Sequence, residues 1–132
     1  MSIEMVRIYR AEDAERAQRA GYKAAYVADL RFRESLDSCG VILVDIEGAG
    51  RSSPHAHERL EEVFIALSDL DLYIGKERHE LKNGDVVIVE PGEEHSFEAV
   101  KHQASRLLAL KFPNIKDDKI VPKRGSENQN SP

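Results

Sequence analysis

Four side chains, by type and spacing, set the chemistry open to this chain. His55 and His57 are separated by one residue, Glu62 follows shortly after, and His95 comes after the turn Pro91-Gly92. Alternate side chains of a strand project from one face, so a His-x-His pair aims both imidazoles at a common point, about 6.5 to 7 Å apart along the backbone. After the polar excursion Glu58-Arg59-Leu60-Glu61 the chain can return as a neighbouring strand whose first inward residue is Glu62. With His95 as a fourth candidate, the set mixes nitrogen and oxygen donors, which favours borderline metals. A reactive metal site of this kind keeps positions open for water or substrate.

Strands must hold these side chains, and the sequence supplies them. Glu62 to Leu67 and Leu70 to Gly75 read as a hairpin around Ser68-Asp69, Lys76 to Arg78 as a turn, and His79 to Leu81 as a short strand. Asn83-Gly84 is the strongest hairpin turn signal in the chain. Val86 to Val89 is apolar on both faces and predicts a strand covered on two sides. His95, Phe97 and Ala99 share parity and so share the ligand-bearing face. Cys39 to Glu47, apolar on both faces through Val44, reads as a central strand, with Cys39 a small buried hydrophobe at its head. Gln103 to Phe112 gives a last strand.

Ahead of the motifs, Ile3 to Tyr9 suits an edge strand and Tyr22 to Arg33 a half-exposed one. Ala11 to Ala20 predicts a short helix: it is alanine-rich, pairs Glu12 with Arg16 and Glu15 with Arg19 at helical spacing, and stops at Gly21. The pattern fades after Pro113, so the domain is expected to span 1–113. Residues 114–132 then form a tail, disordered at its apolar-free end 125–132. Many short strands separated by turn signals indicate an all-β sandwich or barrel.

Composition narrows the function. At 132 residues, one core is expected. A net charge of −5 with no basic stripe argues against a nucleic-acid partner. The longest apolar runs, Val41 to Val44 and Val86 to Val89, are too short to span a bilayer, and no signal peptide is expected ahead of them. One cysteine cannot form an internal disulfide, which fits a cytoplasmic setting.

The stretch from Gly50 to Leu67 resembles the first motif of the cupin superfamily: His-x-His, four residues, Glu, then a strand ending in a turn. The stretch from Asn83 to Phe97 is similar to the second: Gly84, an apolar strand, Pro91-Gly92, two residues, then His95. Four positions depart from the pattern, all at turns or behind the ligands. Gly50 sits one residue closer to His55, Asp69 replaces a turn glycine, Glu90 replaces a proline, and Ala99 stands where asparagine is common.

The resemblance implies a single-domain double-stranded β-helix, or jelly-roll barrel, among the small cupins. His55, His57, Glu62 and His95 would hold one divalent transition metal: iron, manganese, nickel, copper or zinc. Arg51 and Ser53, which share parity with His55, and an apolar wall of Phe64, Ala66 and Phe97 are the expected substrate pocket. Arg51 would receive a carboxylate or else touch only water. Tyr73 and His102 are weaker pocket candidates, and Glu93 and Glu94 read as solvated turn residues. Two function classes follow. One is a metalloenzyme acting on an oxygenated small molecule as a dioxygenase, decarboxylase, isomerase or lyase. The other is a metal-dependent binding or sensor module without turnover, kept open because no second general acid or base is evident. Sugar modification by a metal-free cupin is a weaker third, since the ligand set is complete. A homodimer is expected, both from the two-faced apolar strands and because related cupins pair through sheet edges and N-terminal strands.

Overall fold

Alternating inward and outward side chains govern most of the chain, and strands make up nearly all its regular structure. The computed structural model describes residues 7–33, 36–48, 50–100 and 103–121. In chain order its strands are β1 (Arg7–Tyr9), β2 (Glu15–Arg19), β3 (Tyr22–Tyr26), β4 (Gly40–Ile46), β5 (Ala56–His57) and β6 (Glu61–Ala66). They continue as β7 (Leu70–Ile74), β8 (Glu77–Leu81), β9 (Val86–Val89), β10 (His95–Ala99), β11 (Ser105–Phe112) and β12 (Lys119–Ile120). A five-stranded sheet of order β1-β9-β6-β11-β4 and a three-stranded sheet of order β10-β7-β8 form the barrel, with β12-β5 and β2-β3 as separate pairs. The architecture is the all-β double-stranded β-helix that the motifs imply.

Phe64, Ala66, Val87, Val89, Leu107 and Ala109 from the large sheet meet Leu70, Leu72, Leu81, Phe97 and Ala99 from the small one in a single core. The other face of the large sheet carries a second cluster, Val63, Val86 and Ile88. Val27, Leu30 and Phe32, which follow β3, cover it. The backbone N–H of Arg33 donates to Oε1 of the buried Glu61 at 3.0 Å and moors this covering segment. Val86 to Val89 is therefore covered on both faces, as expected, but by the chain's own segment.

Several local expectations are corrected. Within Ala11 to Ala20 only Ala11–Asp13 is helical, as a 3-10 turn. Glu15–Arg19 is a strand that pairs with Tyr22–Tyr26 across the turn at Gly21. The carboxylate of Asp85 stabilises this corner by accepting from the N–H groups of Ala11 and Lys82 and from Arg10. The strand β4 lies at a sheet edge rather than centrally, with Val41 66% and Leu43 53% exposed. Cys39 beside it is exposed too. Neither Ser68-Asp69 nor Asn83-Gly84 closes a hairpin. Each carries the chain from one sheet to the other, because β6 and β9 belong to the large sheet and β7 and β8 to the small one. Gly84 turns this corner at φ 94° and donates its N–H to the Ala66 carbonyl at 2.7 Å.

The segment 114–121 folds back onto the barrel. Lys119 lies opposite His57 and Ile120 opposite Ala56. The expected strand residues before Arg7, His102 and the end 125–132 lie outside the described residues.

Candidate metal centre

The site is built where four segments meet at one end of the barrel. His55 sits in an isolated antiparallel bridge directly opposite His95, and each donates its N–H to the other's carbonyl, at 3.0 and 2.8 Å. His57 lies on β5, Glu62 opens β6, and His95 opens β10. The turn that delivers His95 is tied to the His57 strand by the Gly92 N–H, which donates to the His57 carbonyl at 2.8 Å. Gly92 adopts φ 87°, a conformation that disfavours a side chain.

One donor atom from each of His55, His57, Glu62 and His95 lies within 4.8 Å of the others. His57 Nε2 is 2.8 Å and His95 Nε2 3.2 Å from Glu62 Oε1. These approaches lack hydrogen-bond geometry, so His57 Nε2, His95 Nε2 and Glu62 Oε1 are all buried without a partner. Unpartnered buried polar atoms are costly. Three of them converging on one point, with His55 at its rim, fit a cation of the borderline class. Two ligand rings are oriented from behind: His55 Nδ1 contacts the Ser53 carbonyl at 3.2 Å and His95 Nδ1 the Glu93 carbonyl at 2.9 Å. An imidazole that donates from Nδ1 presents Nε2 as its lone pair.

The electrostatics favour a neutral His55 and an ionised Glu62. Burial, and then the neighbouring His95, hold the His55 imidazole down at about 4, so it is neutral at ordinary pH. Burial alone would raise the Glu62 carboxyl, but the imidazoles of His57 and His95 outweigh it and hold the group at about 2. The site therefore offers a neutral His55 ring and one carboxylate.

Phe64 and Phe97 stand against the His95 ring, with centroids at 5.4 and 6.2 Å, and against each other at 4.7 Å. Ala66 is fully buried in the core alongside them. Arg51 and Ser53 take other positions. Arg51 and His55 are four positions apart, but their bridge partners Glu98 and His95 are only three apart. The extra residue is a bulge, and it turns Arg51 to the opposite face. The Arg51 guanidinium stacks on the Tyr73 ring at 4.1 Å, and the Tyr73 hydroxyl donates to Glu98 at 3.2 Å, both on the outside of the small sheet. Ser53 is exposed and contributes its carbonyl. Two surface hollows of about 580 and 630 Å³, beside Asp71 and Arg78 and beside Arg33 and Phe112, are not lined by the quartet.

Three further residues adjoin the site. Asp118 Oδ2 accepts from the N–H groups of Arg59 and Leu60 at 2.9 and 3.0 Å, and the Asp118 carbonyl accepts from Glu58 at 3.1 Å. One residue thus fixes the loop between His57 and Glu62. Lys119 and Lys111 stand opposite His57 and Glu62 in their strand ladders. No local pattern marks them, because only the long-range register brings them here.

Residues 42–111, more than half of the chain, match the profile of the cupin domain. No curated protein matches the sequence. Among solved structures, an uncharacterized conserved protein with a double-stranded β-helix domain from Klebsiella pneumoniae subsp. pneumoniae MGH 78578 is similar at 14% identity. The match covers 70% of this chain and 81% of that one, with a TM-score of 0.60. A dTDP sugar isomerase from Desulfovibrio desulfuricans G20 is similar at 11% identity, over 95% of this chain and 88% of that one, with a TM-score of 0.63. A DMSP lyase from Ruegeria pomeroyi DSS-3 is similar at 20% identity and a TM-score of 0.57. That match covers 64% of this chain but only 43% of the lyase.

Proposed function

The chain belongs to the cupin family, and from that premise we propose that it is a metal-dependent cupin acting on an oxygenated small molecule, as a dioxygenase, decarboxylase, isomerase or lyase. One observation carries this reading. The buried, unpartnered atoms of His57, Glu62 and His95 converge with His55 within 4.8 Å. A divalent transition ion, whether iron, manganese, nickel, copper or zinc, would be held by those four residues. When bound it supplies a Lewis acid for an oxygen donor. The protein's own part is to keep the His55 imidazole neutral, to supply one carboxylate, and to shield the His95 side with Phe64 and Phe97. The lyase and isomerase among the structural neighbours support an enzyme, and the complete quartet supports a metal-dependent one over a metal-free sugar-modifying cupin.

A second reading, a metal-dependent binding or sensor module without turnover, is favoured by the lining around the quartet, where the described residues supply the aromatic rings of Phe64 and Phe97. Residues 1–113 are taken as one cupin domain to which the segment 114–121 adds. The protein is taken to be cytoplasmic, with one unpaired cysteine, and to form a homodimer through the exposed β4 edge.

Metal analysis of protein purified without chelator tests the central proposal. About one divalent transition ion per chain is expected, and the His55→Ala, His57→Ala double variant should lose it. Equal occupancy in the two proteins would sink the proposal. Oxygen uptake or carbon dioxide release on screening the loaded protein with diketones, hydroxy acids and dicarboxylates would favour enzyme over sensor.

A further inference from the structure

Residues directly opposed in an antiparallel ladder project from the same face, with Cβ atoms about 4.5 to 5.5 Å apart. Lys111 on β11 is opposed to Glu62 on β6, and Lys119 on β12 is opposed to His57 on β5. Glu62 and His57 both aim at the metal-ligand cluster. Both lysines therefore leave the backbone on the cluster's side, one from each flank. The inward parity of Lys111 is visible in its own strand, where Leu107 and Ala109 are buried in the core. Lys119 is close enough to act electrostatically on His55.

Among the described residues, no carboxylate lies within ion-pair distance of Lys111 or Lys119, whereas Arg7, Arg10, Arg78 and Arg106 all have such partners. Asp118, the nearest acid in sequence to Lys119, directs its Oδ2 to the backbone of Arg59 and Leu60. A divalent ion against the single Glu62 carboxylate leaves excess positive charge, and two free ammonium groups at the rim add to it. A neutral diketone would gain nothing from such a mouth.

We infer that Lys111 and Lys119 form an anion seat at the mouth of the metal centre, selecting a small carboxylate, such as a hydroxy acid, as its ligand. The inference rests on the proposed metal site and deepens it by choosing among the oxygenated ligands that site could accept.

Cobalt-loaded protein, titrated with glycolate and separately with neutral imidazole at pH 8 and followed by visible absorption, provides the test. Methionine keeps the aliphatic stem of each lysine, so the probes are Lys111→Met, Lys119→Met and the pair together, each with its metal content measured. Glycolate should bind roughly fivefold more weakly for each lysine removed. Its wild-type affinity should fall with added salt. Imidazole binding should stay within twofold, and Lys119→Arg should retain the wild-type glycolate affinity. Unchanged glycolate binding in the metal-filled double variant would overturn the anion seat and leave the metal site standing. Equal weakening of glycolate and imidazole would also overturn it, because the lysines would then act only through structure. A wild-type protein that takes up no cobalt would overturn the metal-site reading and this inference with it.

Discussion

His55 is the least buried member of the quartet, and its proton is the one most easily followed. Its pKa in the fold lies at about 4 against an ordinary 6.5, so between those values the unfolded chain takes up a proton that the native protein resists. Stability of the metal-free protein should therefore rise with pH across this window and be lost as pH falls from 6.5 toward 4. Glu62, held at about 2 against 4.5, adds a loss below pH 4.5. Thermal melts of the metal-free protein between pH 4 and 7 check this, and His55→Gln should flatten the upper part of the profile. A wild-type melting temperature indifferent to pH over that range would contradict it. At this scale the sequence was readable wherever parity held. His55, His57, Glu62 and His95 converge as their spacing predicts, and Phe64 and Phe97 reach the His95 ring. Arg51 escaped because a single extra residue before His55 reverses its face. Lys111 and Lys119 escaped because their relevance lies in cross-strand partners, which no local spacing records.

The short strand β12 carries more than its two residues suggest. Asp118, beside it, is buried and accepts two backbone N–H groups from the loop between His57 and Glu62, and those donors hold its carboxyl below the usual range against the cost of burial. Asp118→Ala should destabilise the protein by about 2 to 3 kcal/mol, the scale of hydrogen bonds to a charged group left unmade. Metal affinity should weaken about tenfold, as for other groups that support ligands from behind. Thermal melts and a competitive metal titration measure the two effects; a variant matching wild type in both would show that the loop holds itself. Element types were legible where the apolar period was strong, as in β6, β9 and β11. They were not legible in Ala11 to Ala20, where charge pairs at helical spacing also satisfy a hairpin: Arg19 lies opposite Tyr22 and donates to the Tyr26 hydroxyl at 3.1 Å. Pairing partners decided that segment, and local propensity did not. The same holds for Asn83-Gly84, whose turn chemistry is right but whose flanking strands join different sheets.

Taken whole, the molecule covers one apolar face of its large sheet with its own residues Val27, Leu30 and Phe32, and leaves Val41, Ile42 and Leu43 exposed on the edge strand β4. The case for a homodimer therefore rests on β4, and an apolar edge is a ready template for pairing. Light scattering should give a mass near twice the 14.9 kDa of one chain at micromolar concentration, and Leu43→Lys should lower it toward one chain. A wild-type mass near 14.9 kDa would refute the dimer. The barrel itself was legible because its motifs alternate regularly across residues 50–99, whereas the fold-back of 114–121 was hidden in a polar stretch with no period to read. That fold-back has a bearing on biosynthesis. His55, His57, Glu62 and His95 all leave the ribosome well before Asp118, so a nascent chain halted there would own the complete candidate donor set while lacking the carboxylate that clamps its loop. Metal capture by such a chain should be weak and reversible, and would become firm only once β12 has emerged and folded across His57.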